Sequence, residues 1–468
     1  MQLNPTLFRL YRIPILLVLT SILFYGSFAY DLVRTDYIKL IGLYLGLFFL
    51  FYKIVQLMKH NFKFLTYVAF IFRAVFILAI PNLSQDFYRF IWDGRIVLEG
   101  INPYLFTVDS FISAGEFPVN QSQELYKGMG ALNASHFSNY PPLNQLCFII
   151  VGIFANKSIL GSVVVMRLLI IAADFGILYF GKRLLEKLQI PAYHIFWYIL
   201  NPFIIIELTG NLHFEGVMLF FLIWSLYLLY IGKWQWSAVV FALSVSVKLI
   251  PLIFLPLLYK WFTSKKDSST EPVLREVEVL GLTKLISYYA IVGFTTLILF
   301  APFYSQQFIT NYAETVALWF QNFEFNASIY YIAREIGFWI YGYNQIAFLG
   351  KFLAICTLLF VLYLSLFKKQ KGFKDLFVVM LFGLSFYYFT STTVHPWYIA
   401  TLLLLSVFTN YKFPLVWSLV VILSYLSYLN LNSADKSENL WVITLEYVIV
   451  YGVLLWEVFK KKHLSLMR

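Results

Sequence analysis

The stretch Ser84-Gln85-Asp86-Phe87-Tyr88-Arg89-Phe90-Ile91-Trp92-Asp93-Gly94-Arg95 gathers two carboxylates, two guanidiniums and a tryptophan between apolar residues. Asp86, Arg89 and Asp93 stand three and four positions apart, so a helix presents them on one face. Two carboxylates flanking an arginine at a water–lipid boundary can hold a proton acceptor, keep it ionised and position a polar substrate. The competing reading is an interfacial helix whose charges are simply solvated. The density of Trp, Arg and Asp favours chemistry. Gly100-Ile101-Asn102-Pro103-Tyr104 follows closely, and Tyr140-Pro141-Pro142-Leu143 closes the same polar region.

Further groups stand inside or beside apolar runs. Glu207 ends one such run and is followed by His213 and Glu215. A charge there costs several kcal/mol by simulation-based estimates and about 2.5–3.5 by insertion scales, so it is expected to face a cavity and position substrate, unless it reaches the interface from a helix end. Two candidate ligands without a third make a poor metal site, and no structural metal is expected. Lys248 sits well inside an apolar run, where it suits pairing with a carboxylate or a lipid phosphate. Arg167 has the same ambiguity. In Thr392-Thr393-Val394-His395-Pro396-Trp397-Tyr398, an aromatic belt explains Trp397 and Tyr398, which can also stack on a sugar. It does not explain His395, which can bind phosphate. Asn322, Glu324, Asn326 and Arg334 are candidates to shape an acceptor groove.

The elements that must position these residues are membrane helices. Of 468 residues, 60% are hydrophobic and 13% charged, against about 25% charged in a soluble domain. Aromatics reach 20%, which suits lipid-facing surfaces with tyrosines at their edges. Such a chain has too little polar surface to be soluble. The formal charge of +11 comes from 35 Lys and Arg against 24 Asp and Glu. Most of the excess lies in short loops between apolar runs, which makes it topology-setting charge beside anionic lipid and argues against nucleic-acid binding. Cys147 and Cys356 fall inside apolar runs and give neither a disulfide framework nor a metal site. Residues 13–30 follow Arg9 and Arg12 without a small-residue cleavage site, so they are expected to be a first span rather than a cleaved signal.

Apolar runs of about 20 residues cross a bilayer. They lie near 13–30, 37–57, 64–80, 141–156, 159–180, 192–209, 216–231, 236–259, 285–303, 346–366, 375–391, 397–410, 413–430 and 440–459. The expectation is one all-α, polytopic membrane domain over 1–468 with about 12–14 transmembrane helices, the run at 397–410 being short enough for a half-helix. Lysine clusters at 53–63, 260–266, 368–374 and 460–462 place those loops and both termini on the cytoplasmic side. Residues 81–140 and 304–345 are then external and 260–284 cytoplasmic, with 264–284 a plain linker. Residues 86–98 and 308–323 read as amphipathic helices in the interface. Strict alternation puts Lys182, Arg183 and Lys187 outside. One element between 141 and 259 must therefore be re-entrant or broken, and Pro251 and Pro256 make 236–259 a candidate. No repeat of fixed period is present.

The run Asp86-x-x-Arg89-Phe90-x-Trp92-Asp93-Gly94-Arg95, then Gly100-x-Asn102-Pro103-Tyr104 and Tyr140-Pro141-Pro142-Leu143, resembles the first external loop of the GT-C superfamily of membrane glycosyltransferases. Asn201-Pro202 with Glu207, Gly210-Asn211-x-His213-x-Glu215, Lys248-x-x-Pro251 and His395-Pro396-Trp397-Tyr398 continue the likeness in order, nearest to the bacterial mannosyltransferase-like branch. Three spans precede the loop here, two more than in many members. The resemblance implies an external active site in a bacterial inner membrane, a polyprenyl-phosphate sugar donor entering from the bilayer, and a lipid or glycan acceptor. It implies Asp86 as general base. Arg89, Trp92, Asp93, Arg95, Asn102, Tyr104, Tyr140, Glu207, His213, Glu215, Lys248, His395 and Trp397 are the expected substrate contacts. No cofactor is expected, with assistance by a divalent cation left open. A single displacement would invert the anomeric carbon. A secondary transporter, or a glycan polymerase or ligase using lipid-linked donors, are the alternatives; the richest polar cluster being external disfavours the first.

Overall fold

The computed structural model describes residues 5–263, 273–321, 323–430 and 438–466. Its regular structure is helical, and the β-pairing among the described residues is an isolated bridge between Phe325 and Thr393. The expected all-α class is the observed one. Nine residues of the linker, 264–272, and Asn322 lie outside the described residues.

Three helices open the chain: α1 (Pro5–Asp31), α2 (Tyr37–Met58) and α3 (Phe62–Val75). Asp36 and Asn61 start α2 and α3 by accepting from the amides of Lys39 (3.2 Å) and Phe64 (3.0 Å). Asn61 donates to the Tyr11 hydroxyl, and Tyr30 donates to the Val75 carbonyl, so α1 and α3 run side by side in one direction. Residues 81–141 carry α4 (Asp86–Leu98), α5 (Val108–Ser113) and α6 (Ser122–Ala134). Next come α7 (Pro142–Ala155) and α8 (Ile159–Lys187).

Helix α4 is not the interfacial amphipath that its pattern suggests. Phe87 and all of Arg89 to Ile96 are buried, because α6 and α7 cover both its faces. Gly94 lets α7 approach: a Cβ there would stand 2.1 Å from the Phe148 carbonyl oxygen.

The basic segment that defied alternation is placed by the direction of α8. Helix α8 then runs antiparallel to α3: Arg167 donates to the Ile77 carbonyl (2.9 Å), Asp174 pairs with Arg73 (2.7 Å), and Lys182 lies 5.5 Å from the Phe62 ring centroid. Lys182, Arg183 and Lys187 thereby join Lys59 and Lys63 at one end of the molecule, which we call the basic end.

Between 192 and 263 the chain makes two hairpins. The first rises through α9 (Phe196–Ile199), α10 (Pro202–Ile204) and a π-helical turn over Ile205–Gly210, then bends by 115° into α11 (Glu215–Tyr230). Arg167 secures the bend by donating to the carbonyls of Thr209 (2.8 Å) and Gly210 (3.0 Å), which the turn leaves without helical partners. The second rises through α12 (Trp234–Val247), turns at Lys248 in extended conformation, and descends through 3₁₀ turns at Ile250–Phe254 and Pro256–Leu258 to α13 (Tyr259–Thr263). The expected break near Pro251 is thus an apex rather than a kink in one span.

The second half holds α14 (Val273–Phe300), α15 (Gln306–Gln321), α16 (Ile329–Tyr341), α17 (Ile346–Leu366), α18 (Phe373–Thr390), α19 (Ile399–Ser406), α20 (Phe413–Val420) and α21 (Leu440–Leu466). Among the described residues seven helices are long and apolar enough to cross a membrane, and the bent pair 202–210 and 215–230 passes as one more. The remaining apolar runs of the expected 12–14 spans are shorter pieces, among them 142–155, 234–247 and 396–406. Exposed Leu23, Phe294 and Leu297 on the long helices suit lipid contact. The protein is an integral membrane protein.

Candidate active site

A cavity of about 960 Å³ opens at the end opposite the basic end. The first half of the chain contributes Arg34, Ser84 to Asp86, Arg89, Asn133, His136 to Pro141, Glu215 and Lys248. The second half contributes Thr315, Phe323, Tyr387, Tyr388, His395, Trp397, Tyr398 and Thr401. An apolar arm continues between Ile250, Leu252, Ile253 and Pro256 on one side and Ala354, Leu358 and Val361 of α17 on the other. The two hairpins bring Glu215 and Lys248, at their apices, to the cavity wall.

Asp86 is the first residue of α4 and is half-buried at the cavity. Its carboxylate accepts no hydrogen bond from a described residue; only its own amide is engaged, with Ser84 Oγ at 3.3 Å. Burial pushes its pKa up to about 6, while the Lys248 ammonium pulls it down and the Glu215 carboxylate pushes it up. Asp86 is therefore a carboxylate with an open coordination sphere and an affinity for protons close to neutrality. That combination suits a general base.

Asp93 differs in every respect. It is buried, pairs with Arg89 Nε at 2.7 Å, and accepts from Ser138 Oγ (2.5 Å) and Gln145 Nε2 (3.1 Å). Arg89 also donates through Nη1 to the carbonyls of Asn133 and His136, both at 2.9 Å. The shared helical face expected for Asp86, Arg89 and Asp93 is present. On it Asp93 and Arg89 bolt the 133–145 segment down, and Asp86 alone carries a carboxylate to the cavity.

Lys248 and Glu215 join the two apices by a direct ion pair. Glu215 Oε2 is buried without a hydrogen-bond partner among the described residues. Trp397 lies between two imidazoles, 3.6 Å from the His213 ring and 4.6 Å from that of His395. Burial and the Lys248 charge push His395 down to about 3, so at neutral pH it meets a ligand as an uncharged imidazole.

The cavity thus brings together Asp86, Arg89, Tyr140, Glu215, Lys248, His395 and Trp397. The other expected contacts lie elsewhere. Trp92 packs on Phe111 inside the first loop. Arg95 donates to the Asn120 carbonyl (2.6 Å) and to Gln121. Asn102 reaches the Phe303 carbonyl and Asn311 reaches that of Tyr104, which ties the two large loops together; Tyr104 in turn donates to the Tyr140 carbonyl (2.5 Å). Glu207 lies beneath the cavity, accepting from Tyr425 (2.8 Å) and Asn211 (3.4 Å), with His213 3.9 Å away. Glu324 accepts from Tyr330, Arg334 and Asn344, while Asn326 is bound by Glu438 and Glu446. Sequence reasoning missed Arg34, Gln85, His136, Tyr387 and Tyr388 as lining residues. It also missed the buried Arg73–Asp174 pair, whose signal was one arginine and one aspartate inside separate apolar runs.

A family described as "Alpha-(1->6)-mannopyranosyltransferase, N-terminal domain" matches residues 25–263, just over half of the chain and including Asp86, Glu215 and Lys248. Alpha-(1->6)-mannopyranosyltransferase A of Mycobacterium tuberculosis is 22% identical over 199 residues, 42% of this chain and 37% of that protein. Alpha-(1->6)-mannopyranosyltransferase B of Corynebacterium glutamicum is 24% identical over 155 residues, 32% of this chain and 24% of that protein. The alignments thus span well under half the length of both relatives. The chain belongs to the alpha-(1->6)-mannopyranosyltransferase family.

Proposed function

We propose that this protein is an inverting hexosyltransferase of the external membrane face, moving mannose from a polyprenyl-phosphate donor to a hydroxyl of a lipid or glycan acceptor. The observation that carries the reading is the unbonded, half-buried Asp86 carboxylate at a cavity that also holds Lys248, Glu215 and His395. Family membership supports mannose as the sugar, since both relatives are named as mannopyranosyltransferases.

In this scheme the lipid chain occupies the apolar arm, and its phosphate lies by Lys248 and His395. The acceptor oxygen attacks the anomeric carbon and forms the new C–O bond. Its proton passes to an Asp86 oxygen, and the bond from the anomeric carbon to the phosphate oxygen breaks. The polyprenyl phosphate departs with the bonding pair from the face opposite the attack, which inverts the centre. Cations and N–H donors that hold the leaving anion lower the barrier without a general acid.

The direct test is transfer by purified protein in liposomes supplied with polyprenyl-phosphate mannose. Lys248→Met alone would strand the Glu215 carboxylate, so it is paired with Glu215→Gln. The double variant is expected to fold and to raise the donor KM about 10- to 100-fold, the value of one charge-assisted hydrogen bond to phosphate. An unchanged donor KM would assign the phosphate to another group.

The location of both termini and of the basic end in the cytoplasm, and of residues 81–140 and 304–345 outside, rests on the basic residues gathered at one end. In a background with Cys147 and Cys356 replaced by alanine, Ser110→Cys is expected to react with a membrane-impermeant thiol reagent on intact cells. Lys369→Cys is expected to react only after lysis. The reverse pattern would turn the protein over.

A further inference from the structure

The ring of His395 is held by more than its own segment. Phe325, His395, Trp397 and His213 form a four-ring column with successive centroids 5.1, 4.6 and 3.6 Å apart and planes inclined by 29°, 6° and 19°. The foot of the column is buried: the His213 ring is enclosed and stacked on Trp397, with its Nε2 3.9 Å from Glu207 Oε2, beyond hydrogen-bonding distance. The head is clamped as well. The Phe325 amide donates to the Thr392 carbonyl (3.1 Å) and the Val394 amide donates to the Phe325 carbonyl (2.8 Å). Thr393 Oγ1 adds a bond to the Phe323 carbonyl at 2.9 Å.

The next residue, Asn326, has φ +47°, a left-handed conformation that asparagine adopts more readily than other residues with side chains. Glu438 and α21 hold it there. Its amide donates to both oxygens of Glu438 at 3.0 Å, its Nδ2 donates to Glu446 (3.2 Å), and Tyr447 donates to its carbonyl (2.7 Å). A left-handed residue, anchors from Glu438 and from Glu446 and Tyr447 of α21, and a bridge to the His395 segment converge on the placement of one phenyl ring.

We propose that Phe325 is a positioning residue for the donor's phosphate, fixing the plane of His395 so that a ring nitrogen meets a phosphate oxygen in the cavity. This rests on the polyprenyl-phosphate reading above and deepens it. A neutral imidazole is a directional partner, and its value to a phosphate depends on ring orientation, unlike that of a lysine. Phe325 lies outside the family-matched residues 25–263. This half of the donor site is therefore built by the part of the chain that the matched N-terminal-domain model does not cover.

The test uses the full chain in nanodiscs and two readouts, binding of polyprenyl phosphate without sugar and steady-state transfer. Phe325→Leu keeps apolar volume and removes the ring; Phe325→Tyr keeps the ring. The leucine variant is expected to weaken polyprenyl phosphate binding and raise the donor KM about 3- to 10-fold, the scale of one aromatic contact, with kcat and acceptor KM unchanged. The tyrosine variant should restore both. If the leucine variant is not monodisperse, Phe325→Met takes its place with the same expectation. A ring-less variant with wild-type donor binding overturns the inference, and so does one in which kcat and acceptor KM deteriorate alongside. Wild-type protein that neither binds nor uses polyprenyl phosphate overturns the donor reading itself. Wild-type turnover with an indifferent leucine variant overturns this inference alone.

Discussion

Asp86→Asn is expected to bind donor as the wild type does and to transfer sugar about 10²–10⁴-fold more slowly, the usual contribution of a general base. Asparagine has nearly the shape of aspartate, and the native carboxylate accepts no hydrogen bond from a described residue that the change would break. Burial already opposes its charge, so the variant should melt no lower than the wild type. The pH dependence supplies a second signature. Asp86 must be ionised to accept a proton, and its pKa is raised from 3.8 to about 6. The kcat/KM of the wild type should therefore fall about tenfold per pH unit below 6 and level off above it. Asp93→Asn should behave in the opposite way. It removes the charge that pairs with buried Arg89 and disturbs the bonds from Ser138 and Gln145, and breaking a buried pair costs about 3–5 kcal/mol of stability. Thermal melting and single-turnover rates on the two variants separate the roles. An active Asp86→Asn enzyme beside a well-folded, inactive Asp93→Asn enzyme would exchange them.

The contrast between these two aspartates also marks what the sequence could say. Spacing placed Asp86, Arg89 and Asp93 on one face, and that was correct. It could not say which carboxylate stays open, because the partners of Asp93 come from 45 and 52 residues downstream. The burial of α4 escaped for the same reason: its alternation of charged and apolar residues is that of an interfacial helix. Only the return of α6 and α7 over it, permitted by Gly94, turns its charges inward. Glu207 was recognised as a residue that needs a cavity, yet it is Glu215, beyond the 115° bend, that lines one. The basic residues 182–187 were the most informative misfit. They demanded a broken element, and the packing of α8 along α3 answers the demand by returning them to the end that carries Lys59 and Lys63. The second wall of the cavity was the least legible part, since Phe323, Ala354, Tyr388 and His395 meet only through the packing of α15 to α19.

Gly94→Ala is expected to be the most damaging single-methyl change in this region. The added Cβ would stand 2.1 Å from the Phe148 carbonyl oxygen and 2.4 Å from its carbon, backbone atoms of α7 that no rotamer change can move aside. Facing it, Gly152 already lies against Gly94, where its own Cβ would come within 3.3 Å of the Gly94 oxygen. The two helices touch through two glycines, so relief requires α4 and α7 to separate. Separation would pull Gln145 and Ser138 from Asp93 and unstack Phe90 from Phe148, now 4.7 Å apart. Overpacking alone costs about 1–3 kcal/mol. Loss of bonds to a buried carboxylate adds to it, so the variant is expected to yield little monodisperse protein and to melt well below the wild type. Gly100→Ala provides the control. It carries the strain of a positive φ (+78°) but has open space where its Cβ would go, and a penalty of about 1 kcal/mol is the scale for such a position. Melting temperature and size-exclusion profile of the two variants decide the matter. A Gly94→Ala protein as stable as Gly100→Ala would mean that α4 and α7 can part without cost, and that Asp86 is not held in place by their contact.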